Sequence, residues 1–364
     1  MLVRFEVKNF RNFADWFCFD LSKSKPYDFN EGAVINGIIN NAIIYGVNGC
    51  GKSNLCIALL DLNNHLNDTA QSFFLNTNYL NADADDALAE FRYTFRLNEL
   101  EVQYHYGKSQ FNTTVFEQLT IDGQLCIAID RRENHIAQYK LNGLEGLKTD
   151  LSSTDISVIK YVANNAVLDD NSINAVFNAF IAFTQSMVLL RSVKGHENFG
   201  QEAAGQVSEK ILAMDLLEDF EQFLNDAGVI CRLQEITFGD RPAIGFKFDN
   251  RVIEFARVAS TGTLSLGQFY YWWIKLRESK LQLAIIDEFD AFYHHKLSKL
   301  IVKKLAQIDC QTILTTHNTS IMTNDLLRPD CYFVFDGELK QYYELTQKAL
   351  RKSHNLEKMY RAFK

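Results

Sequence analysis

The chain has 364 residues, 47% of them hydrophobic, and a formal net charge of −8. That length and apolar content supply the core of two domains, or of one domain with a large insertion, and exclude a disordered chain. The acidic balance argues against general coating of nucleic acid and leaves room only for a local basic track. Residues 1–8 alternate like a strand and lack the apolar run of a secretory leader, and no segment reaches the roughly 18 apolar residues of a membrane span. The seven cysteines, Cys18, Cys50, Cys56, Cys126, Cys231, Cys310 and Cys331, are scattered without a C-x-x-C pair. This usage points to a reducing, cytoplasmic setting and no structural zinc.

Residues 1–9 and 16–21 read as two strands joined through Phe10-Arg11-Asn12-Phe13, and residues 36–45 lead into Gly46-Val47-Asn48-Gly49-Cys50-Gly51-Lys52-Ser53. The last stretch fits G-x-x-x-x-G-K-[ST], with a short buried strand over 41–45 before it and a helix over 54–66 after it, so it reads as a phosphate-binding loop. Gly46, Gly49 and Gly51 let the backbone curl until several N–H groups aim at one point. Those groups, with the positive end of the helix dipole, make a cradle for the β and γ phosphates. Lys52 is expected to neutralise phosphate charge and the Ser53 hydroxyl to be a ligand of Mg2+. Asn48 in the loop and Asn54 at the helix start complete the expected nucleotide contacts. Residues 71–81 are polar and irregular, and residues 83–90 acidic, with no recognisable site.

From Phe91 the pattern has period two: residues 91–97 and 101–106 around a turn at Asn98 and Glu99 predict a hairpin. Residues 115–122 and 124–129, around Asp122-Gly123, continue it into an antiparallel sheet. Residues 151–228 read as helical, most clearly over 208–227, where Leu212, Leu216, Leu217, Phe220, Phe223 and Leu224 share a face and Gly228 closes the helix. There are no sustained heptads for a coiled-coil arm. Strands resume over 229–238, 243–248 and 252–255, with turns at Gly239-Asp240 and Asp249-Asn250.

Three further pieces carry chemistry. Ser260-Thr261-Gly262-Thr263 stands directly before an apolar helix, so Ser260 offers an N-cap and the helix start another anion site. The apolar strand 283–286 ends in Asp287-Glu288, an arrangement in which Asp287 would hold the Mg2+ shell and Glu288 would polarise an attacking water. One helix later, over 294–308, comes the apolar strand 312–316 with His317 at its end. A strand, a crossover helix and a strand form a right-handed parallel unit, which places His317 beside the same crevice, within reach of a γ phosphate.

In this order, phosphate loop, Ser-x-Gly helix start, Asp-Glu strand and His strand, the chain resembles the ATP-binding-cassette ATPases. More narrowly it resembles the branch that includes SMC and RecF proteins and the AAA family ATPases of phage-defence and abortive-infection operons. Lys8-Asn9-Phe10-Arg11-Asn12-Phe13 is similar to that branch's opening Lys-Asn-Phe-Arg-Ser-Phe. Asp287-Glu288-Phe289-Asp290-Ala291 with His294, Thr315-Thr316-His317-Asn318, and the tail Asn355-Leu356-Glu357-Lys358-Met359-Tyr360 resemble its later motifs. The resemblance covers residues 1–66 and 260–364.

It implies an α/β fold: an ABC ATPase head with a mixed or parallel phosphate-loop core sheet, an antiparallel β subdomain and a helical insertion. The expected division is residues 1–150, 151–228 and 229–364. It implies ATP and Mg2+ as cofactors, Lys52 and Ser53 as their ligands, Asp287 on the metal, and Glu288, His317 and Lys52 in catalysis. Arg11 would contact the nucleotide. Ser260 and Gly262 would act in trans on ATP held by a second subunit, with Asp290 at the same interface, which implies an ATP-dependent homodimer. Gly267-Gln268 is read as a decoy of the signature. The glutamine that links Mg2+ to the second lobe in cassette ATPases has no clear counterpart, Gln71 and Gln103 being candidates without good flanks.

The expected role is a cytoplasmic antiphage ATPase whose nucleotide-gated dimer controls a separate toxin or nuclease. The alternative is a RecF-like ATPase that clamps DNA directly. A transporter motor is disfavoured by the altered signature. Lys296, Lys299 and Lys303 on one helical face, and a basic end with Arg351, Lys352, Lys358, Arg361 and Lys364, are the candidate contacts for nucleic acid or an acidic partner.

Overall fold

The computed structural model describes residues 1–67, 77–191, 198–199, 207–278, 280–292 and 294–363. Gln71 and Lys364 lie outside the described residues. At the centre is the helix Lys52–Leu66, in which Leu55, Cys56, Ile57, Ala58, Leu59, Leu60 and Leu62 are all buried. A helix apolar on every side must be covered on every side. Two sheets do this.

The first is a seven-stranded sheet in the spatial order Asn198–Phe199, Met187–Arg191, Leu283–Asp287, Gln311–Thr316, Asn41–Gly46, Tyr332–Asp336 and Glu338–Gln341. Its inner strands pair in parallel, and each outermost strand is antiparallel to its neighbour. Strands covered on both faces lose the alternation of a half-buried strand, and Asn41–Gly46, Leu283–Asp287 and Gln311–Thr316 are buried at every residue. The sheet draws strands from each of the three sequence segments expected above. The second sheet, also seven-stranded, is antiparallel: Gln138–Tyr139, Gln124–Asp130, Thr113–Ile121, Leu100–Gln110, Ala89–Leu97, Leu2–Lys8 and Phe17–Asp20. Its hairpins turn where expected, with Asn98 and Glu99 at φ 47° and 63° and Asp122 and Gly123 at φ 49° and 74°. Both pairs have the positive dihedrals of a type I′ turn, whose twist matches the strands it joins.

The central helix is tied to the antiparallel sheet by buried polar groups. Asp61 accepts from Lys108 Nζ at 2.8 Å, Tyr106 at 2.8 Å and Tyr79 at 2.9 Å. One turn on, the His65 ring stands 2.8 Å from the Tyr104 hydroxyl and 3.7 Å from the Glu117 carboxylate. Tyr104, Tyr106 and Lys108 are thus core packing.

A second lobe holds the three-stranded sheet Leu233–Phe238, Arg241–Lys247 and Val252–Glu254 and the helices Val207–Ala213, Leu217–Asp226 and Thr261–Glu278. Two expectations are corrected here. The stretch 151–228 is not wholly helical: Met187–Arg191 is a fully buried strand of the core sheet. Its unbroken apolar run lacks a period that would separate a buried strand from a buried helix. The helix expected over 208–227 is two, broken where Asp215 takes φ 56° and Leu216 N–H returns to Ile211 O at 3.1 Å. This is a left-handed helix end, which aspartate tolerates better than most side chains. Gly228 closes the second helix at φ 89°.

Candidate functional site

Parallel pairing puts the C-terminal ends of the Asp287, Thr316 and Gly46 strands along one edge, with the Thr316 strand in the middle. The phosphate loop, Asp287-Glu288 and His317 therefore open on one crevice, as the parallel unit predicted. At Gly46 a Cβ would stand 2.5 Å from Cys50 Sγ and 3.0 Å from Phe335 O, so any side chain there requires the loop to shift. Gly49 and Gly51 take φ 81° and 109°. No side chain caps the helix that begins at Lys52, which leaves its first turn suited to an anion. Val47, Asn48 and Gly49 are exposed at the loop tip. Lys52 is buried and turned onto the loop, donating to Gly46 O at 2.8 Å and Val47 O at 3.0 Å.

The N-terminal turn packs against this loop. Arg11 Nη1 donates to Asn54 Oδ1 at 3.2 Å, and Asn54 Nδ2 donates to Asn12 Oδ1 at 2.7 Å. Burial, and then the nearby Arg191, push the Arg11 guanidinium below its ordinary pKa. Asn9 and Arg11, at φ 50° and 49°, make the tight turn that brings them there.

Asp287 is held from several directions. Thr315 donates to Oδ1 at 2.7 Å, Cys56 Sγ lies 3.8 Å from the same oxygen, and Arg191 Nε lies 3.4 Å from Oδ2. Burial, with Asp287 second, pushes the Cys56 thiol well up, so it stays a neutral donor. The Thr315 hydroxyl also accepts from Glu288 N at 2.8 Å, joining the acidic turn to the next strand. Glu288 is at φ 48°, in the left-handed region. Such strain in a non-glycine residue marks functional turns more often than ordinary ones.

Asp290, expected at a subunit interface, is buried within the chain: it accepts from Thr316 Oγ1 at 2.7 Å and Asn318 Nδ2 at 3.0 Å. Burial pushes its carboxyl up, against those two bonds. His317, just past the strand end, is exposed.

The signature candidates open the helix Thr261–Glu278. Ser260 Oγ accepts from Thr263 N at 3.2 Å, capping the helix Thr261–Glu278. A Cβ on Gly262 would lie 3.3 Å from Phe292 O. Val258, Leu264 and Phe292 are exposed hydrophobic side chains beside this helix start. Gly267, in contrast, is mid-helix and buried, facing Phe220 and Phe255. Gln103 is exposed in the antiparallel sheet and donates to Glu101 at 2.7 Å.

The residue that touches Asp287 from the neighbouring strand is Arg191, paired with it in register. The sequence reading missed it, together with Thr315 and Cys56. The available signal was a charged residue ending the apolar run Met187-Val188-Leu189-Leu190.

A family model described as "AAA domain, putative AbiEii toxin, Type IV TA system" matches residues 42–323. The chain belongs to this AAA domain family. Membership implies ATP binding and hydrolysis by the head described above, and among the described residues no helix is long and apolar enough to cross a membrane. No curated protein matches the chain. Among solved structures the AAA domain is similar to the SMC head domain from Thermotoga maritima, at 15% identity over 92% of this chain and 94% of that one, with a TM-score of 0.45. It is also similar to an Smc head bound to the C-winged helix domain of ScpA, at 16% identity over 93% and 96% of the two chains, TM-score 0.48. A third is an Smc head with an extended coiled coil bound to the C-terminal domain of ScpA, derived from Pyrococcus furiosus, at 12% identity over 93% and 95%, TM-score 0.46.

Proposed function

We propose that the chain binds ATP with Mg2+ at the phosphate loop, closes it between two copies, and opens again on hydrolysis. The observation that supports this most is the convergence of the phosphate loop, Asp287-Glu288 and His317 on the ends of adjacent parallel strands. Ser53 lies three positions before Cys56 on the helix face turned to Asp287, and Cys56 Sγ is 3.8 Å from that carboxylate. A hydroxyl and a carboxylate are hard oxygen donors that suit Mg2+, with phosphate oxygens and water filling the shell. The ion would supply charge neutralisation of the phosphates; Ser53 and Asp287 would hold it. Lys52 would leave the Gly46 and Val47 carbonyls for the phosphates, Glu288 would orient the attacking water, and His317 would face the γ phosphate.

For the closed dimer the support is the exposed set Val258, Leu264 and Phe292 around the capped helix start of Ser260 and Gly262. Glu288→Gln is expected to bind ATP and accumulate as a dimer, and Lys52→Ala to lose ATP binding; size-exclusion chromatography with light scattering reads both. A Glu288→Gln protein that stays monomeric with saturating ATP would rule out the role of Ser260 and Gly262 in trans.

Two outputs of that cycle are open to test. Direct clamping of nucleic acid is favoured by a surface observation: the helices His295–Leu305 and Leu356–Phe363 both pack on the turn Thr319–Ile321. The first helix carries Lys296, Lys299 and Lys303 and the second Lys358, while the Arg351 and Lys352 carbonyls accept from Asn324 just past that turn; of these six basic residues all but Lys299 are exposed. Control of a separate toxin or nuclease in phage defence is supported by the family description alone. Pull-down of Glu288→Gln with ATP separates them: nuclease-sensitive DNA favours the clamp, and a stoichiometric protein without DNA favours the effector.

A further inference from the structure

Arg191 and Asp287 are opposite charges with side chains only 7% and 4% exposed, 3.4 Å apart, in strands paired in register. Thr315 and Cys56 occupy the side of Oδ1, and Arg191 faces Oδ2, so the oxygen left for a metal is the one the guanidinium already covers. Arg191 also ends its strand, and the next described helix, Val207–Ala213, packs on the signature helix Thr261–Glu278.

We propose that Arg191 is the resident counter-ion of Asp287, a positioning residue that keeps the carboxylate from binding a divalent cation until nucleotide arrives and then yields Oδ2 to it. A guanidinium and a divalent cation cannot share one carboxylate oxygen without like-charge repulsion in a site with little water to screen it. Phosphate oxygens arriving with the cation give Arg191 a new acceptor, and guanidinium suits phosphate as well as carboxylate. Displacement of Arg191 thus couples metal arrival to the end of the strand Met187–Arg191. The inference rests on Asp287 being the metal carboxylate.

Mn2+ alone is the probe, with free Mn2+ followed by electron paramagnetic resonance and no nucleotide present. Wild type should bind weakly, and Arg191→Gln should bind at least about tenfold more tightly, as expected when an adjacent positive charge is removed. Arg191→Lys should stay near wild type, and adding Asp287→Asn to Arg191→Gln should abolish the gain. No gain in Arg191→Gln overturns the proposal, since a merely structural ion pair would lower folding stability without raising Mn2+ affinity. If Arg191→Gln does not fold, hydrogen exchange of residues 187–191 in wild type decides. A change on adding Mn2+ to the ATP-bound, metal-free protein supports the proposal, and none overturns it. Asp287→Asn that keeps wild-type Mn2+ affinity in the ATP complex would instead sink the metal assignment, a separable failure.

Discussion

Glu288 combines a strained backbone with an expected catalytic carboxylate, and the two separate by substitution. Its φ of 48° costs an L side chain roughly 1–2 kcal/mol, whereas glycine adopts that geometry freely but gives about 0.5–1 kcal/mol back through the freer unfolded chain. Glu288→Gly is expected to leave the thermal midpoint unchanged or raised while ATP turnover falls by about 10²-fold or more. A clear drop in midpoint would mean that the Glu288 side chain, not the dihedral, sets the stability of the turn, since the backbone N–H that donates to Thr315 is kept. Gly46→Ala should behave oppositely. Its Cβ would meet Cys50 Sγ at 2.5 Å and the Phe335 carbonyl at 3.0 Å, so the loop must shift, and titration with a fluorescent ATP analogue should show lost binding. The glycines were legible because a motif prescribes them. Arg191 was not, because its meaning lies in a strand far along the chain.

The central helix depends on charges it shares with the antiparallel sheet. Lys108→Ala strands Asp61 as a buried, uncompensated charge and is expected to lower stability by about 3–5 kcal/mol, read from the urea midpoint. Asp61→Asn with Lys108→Met should recover much of that loss. His65 adds a pH dependence. Burial, then Lys108, Arg131 and Lys160, hold its pKa well below the ordinary 6.5, with the Glu117 carboxylate only 3.7 Å away. Between the folded and unfolded values the unfolded chain binds the extra proton, so stability falls as pH drops below about 6.5, by up to roughly 1.4 kcal/mol per unit. His65→Gln should flatten that part of the profile of urea midpoint against pH. At this scale the alternating strands and turn pairs were readable before folding. The strand Met187–Arg191 was not, because complete burial erases the period on which such a reading depends.

For the molecule as a whole, the net charge of −8 and the basic helices beside Thr319–Ile321 make opposite demands on a nucleic-acid partner. If the clamp reading holds, the logarithm of the affinity of ATP-bound Glu288→Gln for duplex DNA falls linearly with the logarithm of salt, by about 0.9 per phosphate contact. Replacing Lys296, Lys299 and Lys303 with alanine should then shrink the slope by roughly 2–3, and an unchanged slope would remove this face from the interface.

By itself the sequence singled out the phosphate loop, the acidic pair and the histidine as candidates, because each is a short run whose expected chemistry depends on neighbours along the chain. It also determined that parallel strands carry them, since strand, helix and strand permit one handedness. Only the tertiary structure decided which partners complete the site. Arg191 and Cys56 lie 96 and 231 positions from Asp287, and Asp290 turned inward to bind Thr316 and Asn318. Such contacts follow from strand order and register, which local pattern leaves open and packing of the whole core selects.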